Sequence, residues 1–344
     1  MALEIHVQNV KRFIFSLIFS ILILCLIYIV SISIGSSMLP IRDVFLCLFG
    51  IECRDISESI LRYRWARSST ALLTGAILAL SGTLIQSIAR NPLAEPYILG
   101  LSSTALTALA IAILIWPTVI AYRYYMMVIA FVGAIAGYLL TTALSVLAGS
   151  TGYSLILSGI AITSIFSGLS HVLLYIVQSK LKSPYHLLLM GSTSTALIQD
   201  VLILTSTLLC CTFFIYIFGL PKKLNAYVFG DSFVKQLGYN PKLLSIISAL
   251  LASLLTGTTV AVVGIVGFIG LAAPHIARLI AGSSDHRVTL ALSIFIGASL
   301  ATSADILAKI LAVTTRQGEF PLGVVTSIIG APFLAYLIIK SGKR

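Results

Sequence analysis

Arg90-Asn91-Pro92-Leu93-Ala94-Glu95-Pro96-Tyr97-Ile98-Leu99-Gly100 lies between two long apolar runs and carries two prolines, an acid, a base and an amide. Proline breaks a helix because it lacks the N–H and its ring crowds the preceding turn. Lipid cannot satisfy the backbone groups freed by such a break. The stretch therefore lies either buried in protein or at a membrane edge, as a plain connecting loop or as a constructed piece of a pathway.

Outward from this stretch the chain is overwhelmingly apolar. Of 344 residues, 58% are hydrophobic and 10% are charged, against about 25% charged in an ordinary soluble domain. No single water-soluble core hides that much apolar surface, so the expectation is an all-α integral membrane protein. A bilayer core about 30 Å thick asks for roughly 20 apolar residues per helix. On that ruler helices fall near 13–34, 69–89, 98–117, 124–148, 153–178, 198–220, 243–263, 266–281, 288–312 and 323–340. Ten is an even count, which places both termini on one side. The run at 266–281 is short and holds Pro274, so it reads as broken or half-length. The first run follows Lys11 and Arg12 but is longer than a signal core and lacks a small-x-small cleavage site before Gly35, so it reads as a retained helix.

The whole chain, 1–344, reads as one transmembrane domain, with its largest polar segments at 35–68 and 221–243. Basic residues divide almost evenly between the two sides, a weak positive-inside signal. Leu72-Leu73-Thr74-Gly75 recurs as Leu254-Leu255-Thr256-Gly257, and at the same offset Gly82 matches Gly264, Pro92 matches Pro274 and Gly100 matches Gly282. Copies that begin five helices apart run in opposite directions. The expectation is an inverted-topology repeat, a hallmark of transporters.

The chain has no G-x-x-x-x-G-K-[ST] phosphate loop, no H-E-x-x-H, no G-x-S-x-G and no paired-cysteine motif. Its five histidines do not cluster. A disulfide between Cys47 and Cys53, both in the 35–68 loop, stays open. Ion-driven carriers usually need ionisable groups near the midplane. Only Asp200 and Asp305 are candidates, so power for transport is expected from another subunit.

The opening string resembles the "NPLA-x-P-x-x-LG" signature of the FecCD-type, or BtuC-like, permeases, membrane subunits of ABC importers for ferric siderophores, haem and cobalamin. Arg64-Trp65-Ala66-Arg67 with Gly75, Ser81-Gly82 and Gln86 resembles the family's "R-x-P-R … G … S-G … Q". Gly264 to Arg278 resembles "G-x-x-GF-x-GL-x-x-PH-x-x-R", and Gly282 to Arg287 resembles "G-x-x-DHR". Ala304-Asp305, Glu319 to Gly323 and Gly330 to Phe333 resemble its last signatures. Departures are Ala66 in place of the family's proline and Lys309 in place of its usual arginine.

The resemblance implies a multi-pass cell-membrane subunit with both termini cytoplasmic and the outer loop at 35–68. It implies a homodimer, or a pair with a close paralogue, flanked by two cytoplasmic ABC ATPases and an extracytoplasmic substrate-binding protein. No nucleic acid is implied, and ATP is used by the partner rather than bound here. Acidic groups of the binding protein would dock at Arg64, Arg67, Lys309 and Arg316, the competing reading being side chains that snorkel to headgroups. The ATPase would meet the coupling segment 221–243 at Leu224, Asn225, Gly230, Asp231, Leu237 and Gly238, with Tyr227, Phe229 and Phe233 as apolar knobs. A helix lying on lipid is the bland alternative. Gln86, Asn91, Pro92 and Pro274 would line the path or satisfy freed backbone. An iron–siderophore is the favoured cargo over cobalamin or haem. An autonomous carrier or channel is the alternative function.

Overall fold

The computed structural model describes residues 2–35, 55–149, 152–182, 187–316 and 320–341. Cys47, Cys53, Glu319 and most of the expected outer loop lie outside these residues. Among the described residues all regular structure is helical. In chain order the helices are α1 (Ala2–Ser33), α2 (Asp55–Ala89), α3 (Leu101–Ile115), a 3-10 turn (Pro117–Ala121), α4 (Arg123–Leu147), α5 (Gly152–Leu181) and α6 (Leu187–Met190). Then follow α7 (Ile198–Ile217), α8 (Leu220–Tyr227), α9 (Asp231–Gln236), α10 (Pro241–Val262), α11 (Ile269–Ala281), α12 (His286–Thr315) and α13 (Leu322–Ser341).

Every apolar run expected from the sequence is helical. Among the described residues, seven helices are long and apolar enough to cross a bilayer by length and composition. At 15 and 13 residues, α3 and α11 are too short at 1.5 Å per residue to span about 30 Å alone. One boundary moves far. The second helix begins at Asp55, not near 69, and runs for 35 residues. That is about 52 Å of helix, so its first turns project beyond any bilayer core. Residues 55–68, expected as loop, are helical, and Arg64 and Arg67 ride on that extension.

Helix α2 is the axis of the bundle, and from Ala66 to Ala89 it is almost wholly buried. Small residues let its neighbours close in. A Cβ on Gly75 would run into the Gly297 carbonyl oxygen of α12, and a Cβ on Gly82 would run into the Gly270 carbonyl oxygen of α11. Close approach of this kind is how helices associate where water supplies no driving force. The two helices that carry the repeated Leu-Leu-Thr-Gly, α2 and α10, meet directly. Ser81 Oγ donates to the Ala252 carbonyl oxygen at 3.0 Å and lies 2.9 Å from Thr256 Oγ1.

Candidate functional site

Residues 90–100 form successive turns between α2 and α3. The backbone satisfies itself locally: Asn91 N–H donates to Gln86 O at 3.2 Å, Ala94 N–H to Asn91 O at 3.1 Å and Leu101 N–H to Pro96 O at 3.1 Å. Asn91 Oδ1 accepts from Leu93 N–H at 2.8 Å, a turn an Asn side chain makes readily. Asn91 is thus committed to local backbone. Pro92 is exposed, whereas Ala94, Glu95 and Pro96 are buried. The string begins at a surface and descends into the protein.

Its buried part meets a second interruption, residues 263–268, between α10 and α11. Pro274 lies inside α11, which corrects the expectation that it marks a break matching Pro92. The helix continues through it because another side chain makes good the missing donor. Proline at 274 leaves the Gly270 carbonyl without its i+4 partner, and Gln86 Nε2 from α2 lies 3.4 Å from both Gly270 O and Leu271 O. Gln86 Oε1 accepts from Arg278 at 2.5 Å. Gln86 therefore satisfies freed backbone, one of the two roles expected for it. The repeat survives better at its end: Gly100 and Gly282 both take left-handed backbone, φ 84° and 62°.

The N-terminus of α11 is capped from far away in sequence. Phe268 N–H donates to Glu95 Oε1 at 2.5 Å. Phe268 itself holds φ 68°, a left-handed conformation that costs a non-glycine residue about 1 kcal/mol or more. It is held there by this bond and by its ring lying against Gly330, where even a methyl group would clash with it. Burial pushes the Glu95 carboxyl up to about 7, against the lowering effect of the Phe268 N–H. A cavity of about 520 Å³ opens beside these groups, lined by Glu95, Tyr97, Met190, Ile265, Phe268, Ser327 and Ile328 among others.

At the same end of the bundle lie α8 and α9. Gly219, at φ 58°, turns the chain out of α7 and sets the phase of α8. That phase points Leu224 and Tyr227 inward, both buried, which corrects their expected place on a partner surface. Asn225 also points inward: Nδ2 donates to Asp285 Oδ1 at 2.8 Å, and Oδ1 accepts from His286 N–H at 2.8 Å. Asp231 pairs with Arg90. Burial raises the Asp285 carboxyl, but the Asn225 amide, the Arg287 N–H and the neighbouring charges outweigh it and leave the group below its ordinary range. Gly230 and Gly238, at φ 104° and 79°, have open space where a Cβ would stand, so backbone conformation rather than contact requires them. Among its exposed residues this segment carries the large apolar side chains Val228, Phe229, Phe233, Leu237 and Tyr239, interleaved with exposed Lys222, Asp231, Lys235 and Gln236, and the Phe229 and Phe233 rings lie 5.2 Å apart. Val228 and Tyr239 were missed in the sequence reading, although their apolar character beside Lys235 and Lys242 was a usable signal.

At the opposite end of α2, Arg64, Arg67 and Lys309 are only 4–5% exposed. Expected as docking groups, they are internal pins. Arg67 Nε lies 3.1 Å from Asp305 Oδ1, and Lys309 Nζ lies 2.8 Å from Asp305 Oδ2. Thr193 donates to Asp305 Oδ1 at 2.7 Å. Lys309 also donates to Ser31 O and to Ser68 Oγ, and Arg64 to Ser33 O at 3.1 Å. The cluster ties α1, α2, α12 and the 192–194 turn together. Taking these charges out of water would be costly without such partners. Arg316 is exposed, at the left-handed C-terminus of α12. Asp200 is engaged as well, 3.2 Å from Arg123 and accepting from Leu197 N–H at 2.9 Å. Among the described residues no three His, Cys, Asp or Glu side chains gather as metal ligands do.

Comparison with known proteins adds a consistent frame. The FecCD transport family matches residues 21–340. A probable iron chelatin transport system permease protein of Helicobacter pylori is 34% identical over 290 residues, covering 84% of this chain and 85% of that protein. The hemin transport system permease protein HmuU of Yersinia pestis is 33% identical over 326 residues, covering 93% of this chain and 95% of its own. Among solved structures, an inward-facing protein assigned to the metal-chelate type of ABC transporter superposes with a TM-score of 0.74. It is 28% identical and covers 95% of this chain and 99% of that one.

Proposed function

The chain belongs to the FecCD transport family, and we propose that it passes a metal chelate, an iron–siderophore first and haem or cobalamin next, from a binding protein to the cytoplasm. It does so as the non-enzymatic membrane subunit of an ATP-binding-cassette importer. The observation that carries this reading is the exposed apolar patch formed by Val228 and Phe229 in the turn between α8 and α9, Phe233 on α9 and Leu237 at its end. An apolar knob set on a short helix pair, rooted by buried Leu220 and Leu224, has the form of a helix that lies in the groove of a soluble partner. That partner is the ATPase. The face carrying α8 and α9 is then cytoplasmic, as are both termini.

A second copy of the chain is the partner within the membrane. On α5 the unburied face carries Ser164 and His171 near mid-helix, and Gly168 has open space beside it. Polar groups at that depth face a bundle interior or a watery path rather than lipid. The binding protein docks at the other end, where Arg316 and Arg62 are exposed cations. The alternative, an autonomous carrier, finds its two candidate acids already spent: Asp200, in the first turn of α7, pairs with Arg123, and Asp305 pairs with Arg67 and Lys309.

The test is reconstitution of the chain with an ATPase and a binding protein from the same gene neighbourhood, with uptake of ferric siderophore, haemin and cobalamin compared. ATP-dependent uptake that Phe229→Glu abolishes, with loss of ATPase co-purification, supports the reading. Uptake without any ATPase overturns it.

A further inference from the structure

We propose that His171 is a ligand position on the wall of the transport path. It takes the iron of a planar chelate with a vacant axial position, haem among the cargoes named above, by a nitrogen–metal bond. The inference rests on the proposed function, in which a second copy of the chain faces α5 across that path.

The outward side of α5 carries two stripes of opposite character. Ile165, Leu169, Val172 and Ile176 recur at helical spacing, all exposed, and are branched hydrocarbon throughout. Ser164, Gly168, His171 and Tyr175 recur at the same spacing and are likewise exposed. At 3.6 residues per turn the two stripes point about 100° apart. Lipid suits the first stripe and not the second, because polar side chains at membrane depth turn to a bundle interior or a water-filled path. The second stripe also runs beside the cavity. Thr163, next to Ser164, donates from Oγ1 to the Tyr97 carbonyl oxygen at 2.9 Å, and Tyr97 lines that cavity.

The His171 ring is set for ligation. Its Nδ1 lies 2.7 Å from the Ser167 carbonyl oxygen, one turn back. A carbonyl oxygen only accepts, so Nδ1 carries the hydrogen and Nε2 of the neutral ring keeps its lone pair. Nε2 has no protein partner among the described residues. Metal-binding histidines are arranged this way: one ring N–H given to an acceptor fixes the tautomer and raises the basicity of the other nitrogen. Tyr175, one turn further along the same face, adds an exposed phenol.

The same chemistry selects the ligand. Among the described residues no three potential metal ligands gather, so the stripe is not built to hold a bare ion. It suits a metal that arrives already chelated. Iron fully enclosed by siderophore oxygens leaves no position for a nitrogen, whereas haem iron keeps axial positions that His or Tyr fills. The bond forms from the Nε2 lone pair to ferric iron as an axial water leaves; the iron stays ferric and no proton moves.

The whole chain in nanodiscs is titrated with haemin and, separately, with metal-free protoporphyrin, each against empty nanodiscs. The wild type should bind haemin with a nitrogen-ligation signature in electron paramagnetic resonance. H171A and H171Q should lose that signature and at least about tenfold in haemin affinity, the least that disturbing a metal ligand usually costs, while protoporphyrin affinity holds. Haemin uptake by the reconstituted importer should fall with them. H171Q keeps a polar side chain on the stripe and so guards against misfolding of H171A. Unchanged haemin affinity in either variant overturns the inference. So does joint loss of both porphyrins, which makes His171 a packing residue, or a wild type that binds no haemin. Failure of the underlying reading shows separately, as uptake that needs no ATPase.

Discussion

Replacing Glu95 by glutamine should make the protein more stable at high pH and leave it nearly unchanged at low pH. In the folded chain the carboxyl is enclosed, takes a single N–H from Phe268, and is pushed from 4.5 up to about 7 by burial. The unfolded chain lets it ionise near 4.5, so between pH 4.5 and 7 the folded state holds a proton that the unfolded state has released. Stability therefore falls as pH rises through that window, because the unfolded state binds fewer protons. The difference of about 2.5 units, at about 1.4 kcal/mol each, amounts to about 3 kcal/mol lost by pH 8. E95Q is neutral throughout and its amide oxygen still accepts from Phe268, so the cost disappears while the capping bond stays. Thermal unfolding of wild type and variant in the same detergent, at pH 4.5 and pH 8, reads the difference. The variant's advantage should grow by several degrees across that interval. Parallel pH profiles would mean that Glu95 ionises as readily in the folded chain as in the unfolded one, which would refute the enclosure of its carboxyl where the two interruptions meet.

Asp305→Ala strips the counter-charge from Arg67 and Lys309 and should cost about 3–5 kcal/mol, the usual penalty for orphaning a buried ion, seen as a lowered unfolding midpoint in detergent. Gln86→Leu leaves the Gly270 carbonyl without a donor and should cost about 1–3 kcal/mol; in a Pro274→Ala background, which restores the backbone N–H, the same change should cost clearly less, and an additive cycle would refute the pairing. Gly75→Val places side-chain atoms in the Gly297 carbonyl and should separate α2 from α12, read as loss of the monodisperse peak on size exclusion; normal elution would show that these helices do not touch there.

The helices were legible because a bilayer imposes a length and a composition that no other environment imposes. The start of α2 was not. Hydropathy ends where the apolar run ends, and Asp55 to Arg67 continue the helix as a polar projection that reads like loop. Inward-turned charge was hidden for a related reason: composition cannot distinguish a solvated arginine from one paired across helices. Part of that signal was present, since Asp305 and Lys309 stand four apart on one helix face, but Arg67 joins them only through tertiary packing. Pro274 misled in the opposite direction. Its break was cancelled by Gln86, nearly two hundred residues away. On α8 the side of each residue depends on the left-handed turn at Gly219, so Leu224 and Asn225 could be assigned to the right segment but not to the right face.

The scarcity of acids explains how such a chain divides its labour. It has 11 Asp and Glu in all, and four of them fasten helices. Glu95 caps α11 from a distance, Asp200 caps α7 while pairing with Arg123, Asp285 caps α12, and Asp305 ties α2 to α12. A carrier that drew energy from an ion gradient would have to release and rebind a proton or cation at groups like these. Each release here would loosen a helix terminus or orphan a buried cation, at a cost of several kcal/mol. Charges used as fasteners are poor moving parts. A bundle fastened in this way keeps its transmembrane shape without spending ionisable groups on energetics.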